Sequence, residues 1–232
     1  MGADALLHQQ SRRRLGLLAA LLACAAAAHA QDLSLAKPEQ YTENRGWNDA
    51  GLGPTWQIVV SATVVPSGFP TLVFVEQNGV REPMTQFPQD SYAHWKRFDP
   101  AFTGAWRILA ERGDAKGASA AVPALLKPRQ IPLATDVRAS GKGAEPRLSW
   151  TLPAGLDIER IRVGVRGGEK IQGRFLSLLH LSDPLPPTTT AFTVPKGWLK
   201  PGERYVFQVM LEDLEDGRLE NRSLAFSDPY TP

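Results

Sequence analysis

Histidine, cysteine and clustered acids are the side chains that most often carry chemistry, and in this chain they are few and scattered. The 232 residues include four histidines and one cysteine. His8 and His29 belong to an N-terminal stretch set apart below. The remaining pair, His94 and His180, is too widely separated in sequence to form a local metal site or proton relay. Cys24 belongs to the same N-terminal stretch, so the rest of the chain has no thiolate nucleophile, disulfide or zinc-cysteine site. No G-x-S-x-G turn, H-E-x-x-H pair or phosphate-cradling glycine loop occurs. This inventory predicts a protein that is not an enzyme and uses no cofactor.

Three further groups are candidates for binding. Glu212-Asp213-Leu214-Glu215-Asp216-Gly217 gathers oxygen ligands on a short segment, which makes Asp213 and Asp216 candidate calcium ligands. The spacing lacks the alternation of an EF-hand, and a solvated hairpin tip that discourages edge pairing explains the same run. Arg112-Gly113-Asp114 is a candidate binding loop, although Gly-Asp is also ordinary hairpin chemistry. Among six tryptophans, Trp106 and Trp150 sit at expected core positions and Trp198 precedes a turn it can plug. Trp47, Trp56 and Trp95 are left. If Trp95 shared a face with Tyr92 and His94, the group would form a platform for a glycan; core packing is the simpler alternative.

The N-terminus indicates where such a protein works. Arg12-Arg13-Arg14, an apolar run over 15–28 and Ala28-His29-Ala30 are the three parts of a cleavable signal peptide. The apolar run has 14 residues, against about 20 needed to span a bilayer. Cleavage between Ala30 and Gln31 would leave a periplasmic or secreted bacterial protein with no transmembrane segment. The paired arginines suit either the general or the twin-arginine route. Leu21-Leu22-Ala23-Cys24 offers an alternative, a lipobox whose acylated Cys24 would anchor an envelope lipoprotein. Residues 1–30 hold three arginines and one aspartate, so the remainder has 23 basic and 23 acidic side chains. A neutral mature chain argues against a nucleic-acid partner.

The elements that must position these groups are strands. Trp56-Gln57-Ile58-Val59-Val60 and Thr71-Leu72-Val73-Phe74-Val75 are rich in β-branched and aromatic residues, and Asn78-Gly79 between two such runs is a strong hairpin signal. Further strands are expected over 91–98 and 105–111, and no segment after residue 31 reads as an amphipathic helix. The three prolines of 122–132 predict a stiff connector. The expected organisation is a signal peptide (1–30), an extended or loosely docked N-terminal arm (31–46), an immunoglobulin-like β-sandwich (47–122), a proline-rich linker (123–131) and a second sandwich (132–232).

The second sandwich resembles the fibronectin type III family. Leu148-Ser149-Trp150-Thr151-Leu152-Pro153 is similar to that family's second strand, with a buried Trp and a Pro three residues on. Ile161-Arg162-Val163-Gly164-Val165 resembles the third strand, and Thr190-Ala191-Phe192-Thr193-Val194-Pro195 the one before the corner. Leu199-Lys200-Pro201-Gly202-Glu203-Arg204-Tyr205 matches the corner itself, with Glu203 where threonine is common. The long stretch 167–187 departs from the pattern and leaves the number of middle strands open. The first domain resembles an immunoglobulin-like sandwich more loosely, with a jelly roll as the competing fold. Some fibronectin modules display Arg-Gly-Asp to integrins, which gives Arg112, Gly113 and Asp114 an adhesive reading beside the turn. The resemblance implies an all-β chain of two immunoglobulin/fibronectin type III-like β-sandwich domains after a cleaved signal peptide. It also implies a protein-binding or scaffolding module acting through sandwich loops or edges. Its partner would be an envelope or secreted protein; the alternative is a carbohydrate-binding accessory of a polysaccharide system, with a glycan as ligand.

Overall fold

The computed structural model describes residues 32–46, 55–68, 71–113, 115–171 and 174–232. Eight strands precede the proline-rich segment: β1 (Ser34–Arg45), β2 (Thr55–Val65), β3 (Leu72–Gln77), β4 (Val80–Pro83), β5 (Thr85–Phe87), β6 (Ser91–Arg97), β7 (Trp106–Arg112) and β8 (Ala115–Val122). Seven follow it: β9 (Thr135–Ser140), β10 (Arg147–Thr151), β11 (Arg160–Ile171), β12 (Arg174–Leu181), β13 (Ala191–Thr193), β14 (Val206–Glu215) and β15 (Arg218–Phe226). The helical turns among the described residues are two short 3-10 turns, at Pro88–Asp90 and Pro100–Phe102. The chain is all-β.

These strands make three sheets, ordered β12-β11-β14-β15-β1-β2-β6-β5, β13-β10-β9 and β4-β3-β7-β8. The eight-stranded sheet belongs to both sandwiches. Its β1-β2-β6-β5 half packs against the four-stranded sheet around Ile58, Val60, Ile108 and Trp106. Its β12-β11-β14-β15 half packs against the three-stranded sheet around Trp150, Val163, Phe207 and Val209. Each half with its cover has the crossed-over order of an immunoglobulin or fibronectin type III sandwich. In the second sandwich the strand preceding the corner, β13, sits beside β10 across from β14. The stretch 167–187 supplies one middle strand, β12, which extends the hairpin from β11.

The corner forms as its residues require. Tyr205, Phe207, Val209 and Leu211 alternate along one side of the strand and are all buried in the second core. The Tyr205 hydroxyl accepts a hydrogen bond from the Lys200 amide at 2.9 Å and donates to a Glu203 carboxylate oxygen at 2.9 Å. The Asn78-Gly79 hairpin joins β3 and β4 with positive φ at both residues, 52° and 78°.

The N-terminal segment is not an arm, extended or loosely docked, beside the first sandwich. Ser34–Arg45 is extended, but it is an interior strand of the long sheet, antiparallel to β2 and parallel to β15. Pro38 lies where the register shifts between Ala36 and Glu39, and Lys37 there has φ 50°, so a bulge absorbs the proline. Gln40, Thr42, Glu43 and Asn44 are buried although all are polar. Burial is tolerated because each has a partner. Thr42 Oγ1 lies 3.0 Å from the Arg129 carbonyl and 2.8 Å from Asn221 Oδ1, and Asn44 Nδ2 donates to the Ile131 carbonyl at 2.8 Å.

The proline-rich segment therefore runs over the β15–β1 seam, on the side that the two smaller sheets cover. The Glu220 carboxylate accepts from the amides of Leu126 and Lys127. Asn221 accepts from the Arg129 amide at 2.8 Å and donates to the Lys127 carbonyl at 3.0 Å, and Ser223 Oγ donates to the Pro132 carbonyl at 2.9 Å. Ile131 is 1% exposed and completes the second core. The segment is a strip of backbone held by side chains from both sandwiches.

Candidate functional site

Both smaller sheets lie on the same side of the long sheet, so the side chains on its other side are free to form a surface. Strand alternation decides which they are. In β11, Ile161, Val163 and Val165 enter the core, which turns Arg160, Arg162 and Arg166 outward. Pairing register then lines up neighbours in rows across the sheet. One row reads Arg160, Glu212, Arg222, Glu43, Gln57 and Arg97, taken from β11, β14, β15, β1, β2 and β6. The next reads Arg162, Met210, Leu224, Arg45 and Thr55.

The first row is a ladder of alternating charge. Arg160 Nε meets Glu212 Oε2 at 2.6 Å, Arg222 Nη2 meets Glu43 Oε2 at 2.6 Å, and Gln57 Nε2 donates to Glu43 Oε1 at 3.1 Å. The same Arg222 nitrogen donates to the Tyr41 hydroxyl at 2.7 Å, and its guanidinium lies 4.4 Å from the centre of the Tyr41 ring. Burial alone would raise the Glu43 pKa; the guanidiniums of Arg222 and then Arg45 overcome it and hold the carboxyl below its ordinary value. Burial likewise disfavours charge on Arg222, but Tyr41 and Glu43 hold its proton more tightly than in water. Desolvation pushes the Tyr41 hydroxyl up. Both glutamates are committed to ion pairs, and Glu43 is a poor proton carrier.

The second row keeps its cations apart, with apolar Met210 and Leu224 between Arg162 and Arg45. Arg162 Nε donates to the Ser182 carbonyl at 3.2 Å, and Arg166 Nε donates to Gln208 Oε1 at 2.6 Å. Burial first, then the like charge of Arg45, pushes the Arg166 pKa down to about 10. The two rows border a groove of about 240 Å³. Tyr41, Val59, Phe87, Ala93 and Trp95 close its end on the first sandwich; Leu178 and Leu181 close the other. Gly164 makes room, since a Cβ there would lie 2.6 Å from Gln208 Nε2 and 2.8 Å from Leu178 Cδ1. Arg45, Arg162, Arg166 and Arg222 line the groove against Glu43 and Glu212, an excess of two positive charges. An anion entering the groove would meet that excess of positive charge.

The residues singled out from sequence are placed as follows. Trp95 borders the groove, half-buried and edge-on to Phe87 at 5.4 Å between ring centres. Tyr92 is three positions away, so its side chain points to the opposite side and is buried in the first core. The platform joining Tyr92, His94 and Trp95 is therefore not formed; alternation separates them. His94 faces Glu82 at 3.3 Å, and His180 stacks on Trp198 in the other sandwich at 4.9 Å. Arg112 is turned inward, where its guanidinium donates to Thr71 Oγ1 at 2.7 Å and to the carbonyls of Pro66 and Gly68, both at 2.9 Å. Gly113 occupies the adjoining turn with φ 48°, and Asp114 lies outside the described residues.

The acidic run is not a solvated tip along its whole length. Glu212 and Asp213 are buried within β14, and the tip is Asp216-Gly217. Asp213 accepts from Arg129 Nε at 2.8 Å and Asn221 Nδ2 at 2.7 Å, whereas Asp216 is exposed in the turn. Among the described residues, no three His, Cys, Asp or Glu side chains gather to hold a metal ion. Cys24, the cleavage site and Trp47 lie outside the described residues.

No protein-family profile and no curated protein matches the sequence. Two solved structures align with most of the chain. Domains A168–A170 of titin align over 82% of this chain and 61% of theirs, at 15% identity and a TM-score of 0.32. The FN1–FN3 domains of chicken CNTN1 align over 82% of this chain and 67% of theirs, at 12% identity and a TM-score of 0.32. The chain thus spans under two thirds of the titin fragment. Strand order and the tyrosine corner, not superposition, are what assign these sandwiches to the immunoglobulin and fibronectin type III kind.

The arginines of the groove went unnoticed in the sequence, yet a signal was there. Arg160, Arg162 and Arg166 share one parity, opposite to the apolar Ile161, Val163 and Val165. A strand buried on one side must show that basic stripe on the other.

Proposed function

We propose that this chain is a non-catalytic binding or scaffolding protein of the bacterial envelope, exported to the periplasm or beyond. On this reading it meets an envelope or secreted partner through the outer face of its continuous sheet. The observation that carries the proposal is the groove at the junction of the two sandwiches, where four arginines and half-buried aromatic groups share one surface. Its carboxylates are already engaged by arginine, which suits holding a ligand better than turning one over. The separation of His94 and His180 into different sandwiches supports the same reading.

The test is a pull-down from envelope and secreted fractions, using the immobilised chain starting at Gln31. Retention of a defined component by the wild type, lost in Arg45→Glu but kept in the distant Val80→Ser, is the expected result. Retention equal in all three overturns the placement on the sheet face. Mass spectrometry of the chain from its native host tests the location: a Gln31 start supports a soluble exported protein, and a diacylglyceryl-Cys24 start replaces it with a lipoprotein.

A further inference from the structure

The chemistry of the groove narrows the ligand, on the assumption that the groove is the binding surface. Its floor is the middle of a sheet, where β11, β14, β15, β1 and β2 each have a neighbour on both sides. Their main-chain groups are spent in the ladders, so a peptide cannot enter as an added strand. Anything bound here is read by side chains. Those side chains form two zones. Arg45, Arg162 and Arg166 supply planar guanidinium forks, the geometry that matches a carboxylate. Trp95 and Phe87, half-buried over the Val59 core, supply flat apolar surface beside them. Trp95 on β6 stands two strands from Arg45 on β1 and five from Arg162 and Arg166 on β11, roughly 10 and 24 Å at the usual strand spacing, so the zones are separated by a few sugar rings' length.

We propose that the groove binds an acidic saccharide, a uronate-bearing stretch of polysaccharide whose carboxylate sits among Arg45, Arg162 and Arg166 while a sugar face lies against Trp95. A uronate has the two properties the surface pairs, a carboxylate on a ring whose C–H face is apolar. Charge complementarity favours it as well. The first row of the face is neutralised internally, whereas in the second, among the described residues, Arg162 meets only the Ser182 carbonyl and Arg45 shares Glu43, at 3.9 Å, with Arg222. The like charges of Arg45 and Arg166 oppose each other in a partly dry site, and a bound carboxylate relieves that repulsion.

Isothermal titration of the chain starting at Gln31 tests this with oligogalacturonate as the probe. Its methyl ester, a neutral cello-oligosaccharide and polyglutamate serve as controls. Binding to oligogalacturonate that weakens with salt and is lost on esterification is expected. Arg45→Gln and Trp95→Ala should each weaken it about tenfold, the loss of one charge-assisted bond or one stacking surface. Thermal melts confirm that both variants are folded, and Arg162→Gln provides a third variant should one of them not fold. The proposal fails if the ester binds as well as the acid, if polyglutamate binds more tightly, if folded variants bind like the wild type, or if no uronate binds. Failure here with an Arg45-dependent pull-down intact leaves the binding reading standing with a different ligand. Failure of both removes the groove from function.

Discussion

The Tyr205 hydroxyl illustrates how much one atom can hold at a sandwich corner. It satisfies the Lys200 amide and reaches Glu203, whose carboxylate is the more exposed partner. Replacing Tyr205 with Phe should cost about 1–2 kcal/mol in a urea melt, because the Lys200 amide loses its acceptor. The groove lies on the other side of the sheet, so binding there should be unchanged; a binding defect at full stability would show that the corner has a second role. Two carboxylates make stability depend on pH. Burial would raise the pKa of Asp213, and hydrogen bonds from Arg129 and Asn221 bring it below its ordinary 3.8; Arg222 and Arg45 do the same for Glu43, below 4.5. Depressed native values mean that the unfolded chain binds more protons in this range. Their contribution is therefore complete above about pH 5 and is lost as pH falls through the depressed values. Melts between pH 7 and pH 3 should show that loss, and Asp213→Asn should flatten it.

Among the elements, strands with a one-sided apolar pattern were legible and strands made of polar residues were not. Tyr205, Phe207, Val209 and Leu211 announce β14 because a core selects every second residue. The Asn78-Gly79 turn announces its hairpin for an equally local reason. By contrast, β1 offers Gln40, Thr42, Glu43 and Asn44, which resemble a solvated arm until their partners on the proline-rich segment, Phe102 and β15 are known. Those partners are remote in sequence, so no local pattern could reveal them. The groove is half legible: Trp95 stands out as a tryptophan without an expected core position, but Arg45, Arg162, Arg166 and Arg222 meet only when β1 pairs with β15. Asn221 is the most connected side chain of that seam, linked to Thr42, Lys127, Arg129 and Asp213. Asn221→Ala should cost about 3 kcal/mol, since several buried groups lose partners together. A change under about 1 kcal/mol by chemical denaturation would mean that water replaces the side chain at the seam.

At the scale of the molecule, the sandwiches share a sheet, and a connector packed at their seam replaces a hinge. Opening one sandwich strips the other of a strand neighbour, so the chain should unfold in one transition, with tryptophan fluorescence and far-ultraviolet circular dichroism coinciding. Two separated transitions would show that the seam yields first. The same arrangement governs the order of events in folding. Thr42 and Asn221, which touch across the seam, are 179 positions apart. Bringing such remote segments together is slow, because the intervening chain must be confined before the contact repays it. β1 is synthesised first among these strands, yet its parallel neighbour is synthesised last. Until β15 arrives, β1 lacks one of its two neighbours, and the strand at the centre of the finished sheet spends the chain's synthesis as an edge.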